Sequence, residues 1–104
     1  MTVEQILARL QDRAERQLCS LGSQQATFVQ NKLAAVRQQQ TALKGATDPD
    51  QQRRLLVGMV RDLKILRTRL VQFSGLVQLV DEAVLGLRAR ETDLRTTRAP
   101  EPER

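Results

Sequence analysis

The stretch DPDQQRRLLVGMVRDLKILRTRLVQFSGLVQLVDEAVLGLRARETDL, residues 48–94, decides the fold. From Leu56, alternate steps of three and four residues reach Met59, Leu63, Leu66, Leu70, Phe73, Val77, Val80, Val84, Leu87, Glu91 and Leu94, with Glu91 the one break in the apolar line. Such spacing lays one side chain per turn along a single stripe, the heptad seam of a helix that supercoils against a partner. The pattern predicts a helix over about 49–94.

The flanks of this stretch carry helix boundaries. Asp48 is placed to cap the N-terminus, Pro49 occupies the first helical position where its missing N–H costs nothing, and Gln51 follows three residues after the cap. Just upstream, Lys44-Gly45 reads as a stop, a cation near the last carbonyls and a Gly able to take the left-handed conformation. Thr2 and Gln5 form a capping-box pair, so a first helix is expected over about 3–44. Its apolar positions run Val3, Leu7, Leu10, Ala14, Leu18 and Leu21, then shift phase to Ala26, Val29, Leu33, Val36 and Leu43. The shift coincides with Gly22-Ser23, where a bend or break is expected.

Two helices joined through a turn at 45–48 lie antiparallel. The expectation is therefore all-α: a long helical hairpin of coiled-coil type in one domain, residues 1–95. Beyond it, Pro100, Pro102 and a high charge density predict a disordered tail over 96–104.

The second helix is more apolar than a two-helix contact requires. Leu55, Val57, Val60, Ile65, Val71, Leu76, Leu79 and Leu85 widen the stripe on both flanks of the seam. A single partner helix covers one side, and each uncovered Leu or Val forfeits roughly 1.5 to 3 kcal/mol of burial. Further helices should therefore pack on it, from a second copy or another subunit, as part of a larger helical bundle. The alternative is a first helix broken at Gly22 that folds back to give a three-helix bundle.

Composition bears on function. The chain has no His, one Cys and 2% aromatic residues, and it has no Gly-rich phosphate loop. No general base of the usual kind accompanies Cys19, which reads as a buried structural thiol, and Cys/His metal sites lack their ligands. Neither an enzyme nor a cofactor is expected. Charges interrupt every apolar run before the roughly 18 residues a membrane span needs. Glu4 and Asp12 fall where a signal peptide would be basic and then apolar, so the cytoplasm is expected.

The net charge is +5. Arg53, Arg54, Arg61, Lys64 and Arg67, with Arg88, fall mostly opposite the seam and form a candidate face for an anionic partner. Acids at Asp50, Asp62, Asp81 and Glu82 are interleaved, and no Trp or Tyr is present to stack on bases. That pattern favours a solvated face or a docking face for an acidic partner, with nucleic acid as the alternative. The expected role is a non-catalytic protein–protein interaction module, a scaffold, adaptor or chaperone-like subunit. Its seam, Leu56, Met59, Leu63, Leu66, Leu70, Phe73, Val77, Val80, Val84 and Leu87, would pair with partner helices in a homo-oligomer or a hetero-complex. Glu91 on the seam would fix register, or mark where the coiled coil frays.

The turn Leu43-Lys44-Gly45, in a chain of this length, is similar to the Trp-x-Gly turn of the small secreted WXG100 hairpins, with Leu in place of Trp. The similarity implies a secretion-associated helical hairpin, or a chaperone of such a system, as a further alternative. The chain has no Tyr to supply a Tyr-containing C-terminal secretion signal, and the similarity assigns no functional residues.

Overall fold

A computed structural model of the chain describes residues 2–98, with side chains through residue 95. The described residues form four α-helices, α1 (Val3–Gln17), α2 (Ser23–Gly45), α3 (Pro49–Arg69) and α4 (Ser74–Arg98), with one 3-10 turn at Leu18–Ser20 and no strand. The protein is all-α, as the periodicity implies. The two long arms are each divided: the first between Gln17 and Ser23, the second between Arg69 and Ser74.

Local chemistry sets most of the boundaries. Thr2 Oγ1 accepts the Gln5 N–H at 3.2 Å while the Thr2 N–H donates to Gln5 Oε1 at 3.0 Å, which satisfies two early donors of α1 at once. Asp48 Oδ1 accepts the Asp50 N–H at 3.2 Å, and Pro49 opens α3. The Gly45 expectation needs correction. Gly45 stays inside α2, Ala46 ends the helix in extended backbone (φ −81°, ψ 132°), and no described residue has positive φ. Gln52 Nε2 then donates to the Ala46 carbonyl at 2.7 Å and holds the turn closed.

The second arm, expected as one helix over 49–94, bends back at 70–73. Leu70 donates to the Arg67 carbonyl and Phe73 to the Leu70 carbonyl, at 3.1 and 2.9 Å, before α4 begins. This reversal lays α4 antiparallel on α3, where Arg67 pairs with Asp81 at 2.9 Å. On its other side α4 meets α1, through a two-pronged Arg90–Glu4 pair at 2.7 and 2.9 Å. The square closes between α1 and α2: Gln11 Nε2 donates to the Leu33 carbonyl at 3.1 Å and Arg37 Nε donates to Gln11 Oε1 at 3.2 Å. Extents of 57 × 23 × 20 Å fit an up-and-down four-helix bundle, two helices across in each short direction.

The wide apolar face of the second arm is thus covered by helices of the same chain. Leu10, Val29, Leu56, Met59, Leu63, Leu66, Leu70, Val80 and Leu87 are fully buried, and Leu76 and Leu79, from the flank of the seam, join them. Two glycines permit close helix contact. A Cβ at Gly86 would collide with Val3, and one at Gly58 with the Gln39 amide, so α1 approaches α4 and α2 approaches α3 where those glycines lie. The helix of α4 runs on to Arg98, into the segment expected as a tail, and residues 99–104 lie outside the described residues.

Candidate interaction surface

Most seam residues are interior. Leu56, Met59, Leu63, Leu66, Leu70, Val80, Val84 and Leu87 are buried, and Phe73 and Val77 are half-buried. Their packing partners are the other helices of this chain. Glu91 lies half-buried and pairs with Arg95 at 3.0 Å.

What faces outward is a strip along α3 and the adjoining edge of α4. Arg53, Arg54, Val57, Arg61, Lys64 and Ile65 recur at spacings of three, four and seven residues, so they share one stripe of α3. Arg54, Arg61 and Lys64 are exposed and Arg53 is half-buried. Val57 and Ile65 between them are 48% and 36% exposed, and Leu85 on α4 is 69% exposed. Val57, Val60, Arg61 and Lys64 of α3 line a shallow groove with Arg88 and Glu91 of α4. Apolar side chains form the floor, and three cations stand around it with one acid.

The basic residues named from sequence do not all belong to this strip. Arg67 is turned to α4 and neutralised by Asp81 at 2.9 Å. Arg61 Nε lies 3.9 Å from Asp62, a weak approach. Arg53, Arg54, Lys64 and Arg88 have no ion-pair partner among the described residues. Their charge is left without a neutralising side chain, and its field extends over roughly a Debye length.

Asp62, one of the acids interleaved with the basic residues in the sequence, lies inside the bundle. It is 5% exposed on the α2 side of α3. Gln39 Nε2 donates to it at 2.7 Å, and Lys32 Nζ approaches at 3.4 Å. A buried carboxylate survives when it is paired and hydrogen-bonded, and the missing Cβ of Gly58 leaves room for the Gln39 amide. Both partners lie more than twenty residues upstream, so no local motif announces the cluster.

At the other end of the bundle Arg69 stacks on Phe28, 4.3 Å from guanidinium carbon to ring centroid. Cys19, expected to be buried, is exposed in the connection between α1 and α2, its Sγ 3.7 Å from the Arg16 carbonyl. Among the described residues no group of three or more Cys, Asp or Glu side chains is disposed to hold a metal ion. No described helix is long and apolar enough to cross a membrane. No family model, curated protein or solved structure matches the chain.

Proposed function

We propose that this protein is a non-catalytic interaction module, a small helical adaptor or scaffold subunit that docks an acidic amphipathic segment of a partner protein on the outer α3–α4 strip. One observation carries this reading: exposed Val57 lies with Val60 in one groove beside Arg61, Lys64 and Arg88, and exposed Leu85 stands one helical turn from Arg88 on α4. A partner offering apolar anchors with flanking Asp or Glu would bury the first and neutralise the second. Phosphate backbones offer the charge without the anchors, which leaves the valines and leucine unexplained, so nucleic acid is the second reading.

The test uses immobilised wild type beside a variant carrying Arg61→Glu, Lys64→Glu and Arg88→Glu, three exposed positions whose replacement leaves the core intact. Acidic proteins from the host should be retained by the wild type and lost by the variant, with retention falling as salt rises. Equal retention by both would exclude the strip as the docking face. Salt-sensitive binding of a random-sequence oligonucleotide to the wild type, with no retained protein, would favour the nucleic-acid reading instead.

A further inference from the structure

The two breaks in the helical arms overlap in height, offset by less than one helical turn. Glu4 pairs with Arg90, Lys32 with Asp62, and Gln25 Nε2 donates to the Arg69 carbonyl at 2.8 Å. In each case the two positions are equidistant from Thr47, in the turn between α2 and α3. The α1–α4 and α2–α3 interfaces therefore share the register of one continuous antiparallel hairpin. In that hairpin, Leu18–Gly22 stands across from Gln72–Leu76, so the first break overlaps the end of the second, Leu70–Phe73. The bundle is a long hairpin folded in two at a waist.

Both strands of the waist can straighten. Neither contains Pro, no described residue has positive φ, and the three-and-four spacing runs in phase from Leu66 through Leu70 and Phe73 to Val77. Leu70 and Phe73 pack on the core of the closed bundle, and the same phase keeps them on the inner face of a straightened helix. We propose that the protein exchanges halves with a second copy: the waist opens, the α1–α4 half of one chain packs on the α2–α3 half of another, and the reverse. Glu4–Arg90 and Lys32–Asp62 stay within a chain. Contacts that span the fold, such as Arg67–Asp81 and Arg37–Glu15, re-form between chains. The dimer repeats the interfaces of the closed bundle, which is why exchange of identical elements is a low-cost route to association. The outer α3–α4 strip stays exposed in both states, so the dimer presents it twice.

Gly22 is a position where substitution shifts the balance between closed and open waist in either direction. In the closed bundle it caps α2 with φ −62° and ψ 156°, preceded by extended Leu21 (φ −105°, ψ 153°), and a Cβ there meets nothing within 4 Å. Those angles suit Pro and its preceding residue, whereas a straightened helix does not tolerate Pro. Ala fits both states, caps poorly and favours the straight helix. Wild type, Gly22→Ala and Gly22→Pro are refolded from denaturant at high protein concentration, and mass is read by light scattering across a dilution series. Gly22→Ala should dimerise about 25-fold more tightly than wild type, a factor of about five from each chain. Gly22→Pro should stay monomeric with undiminished helicity. A Gly22→Ala protein no more dimeric than wild type overturns the exchange. So does a Gly22→Pro dimer as stable as the wild-type one, which would place association on another surface. If Gly22→Pro fails to fold, the comparison of Gly22→Ala with wild type decides alone.

Discussion

Glu4 and Arg90 sit near opposite ends of the sequence and tie α1 to α4. The hydrogen bonds from the Arg90 guanidinium, helped by a backbone N–H, hold the Glu4 carboxyl well below its ordinary 4.5, at about 2. With a folded-state pKa below the unfolded one, the pair's contribution is complete above about pH 4.5 and is lost as pH falls towards 2. Both side chains are about two-fifths exposed, so solvent screening limits the contribution to about 0.5–1 kcal/mol. Glu4→Gln should lose that amount at neutral pH, and its unfolding curve should converge with that of wild type near pH 2; a gap that persists unchanged at low pH would contradict the pairing. One turn away along α4, Gly86 lies against Val3. Gly86→Ala gains helix propensity of about 1 kcal/mol, yet its Cβ enters the Val3 side chain, and overpacking there costs about 1–3 kcal/mol. Net destabilisation in urea is expected, partly recovered when Val3→Ala is added; stabilisation by Gly86→Ala alone would refute the close α1–α4 approach.

Among the helices, what was legible in the sequence depended on whether the signal was local. Thr2 with Gln5, and Asp48 with Pro49, announce helix starts because capping is settled within four residues. Gly22 announces the first break, since it weakens a helix and accompanies a phase shift. The break at 70–73 has a faint signal, the small pair Ser74-Gly75, because the apolar seam crosses it without losing step. Its cause is tertiary. Leaving a few backbone groups of 70–73 out of the helix costs about 0.5–1.5 kcal/mol for each hydrogen bond, while folding α4 onto α3 helps to bury side chains such as Leu76 and Leu79, each worth roughly 1.5–3 kcal/mol. Burial wins, and a periodicity count does not contain that sum. Asp62 was hidden for a related reason: Lys32 and Gln39 become its neighbours when α2 packs on α3.

For the whole molecule, the breadth of the apolar face was a sound indication that more than two helices must meet, and the chain itself supplies them. The seam thereby becomes core, and under the proposed function recognition falls to what the core leaves outside: exposed Val57 and Ile65 of α3 and Leu85 of α4. That transfer follows from the chain bending at both breaks. A hairpin with unbroken arms would be about 70 Å long, with a radius of gyration of about 20 Å, against 15.2 Å for the bundle. Small-angle X-ray scattering from the dilute wild-type protein separates the two. A radius of gyration near 15.2 Å at monomer mass would support the folded-in-two bundle and its outer strip. A rod-like profile near 20 Å at monomer mass would mean that the arms run straight, the seam is exposed, and the interaction surface has been assigned to the wrong side of α3.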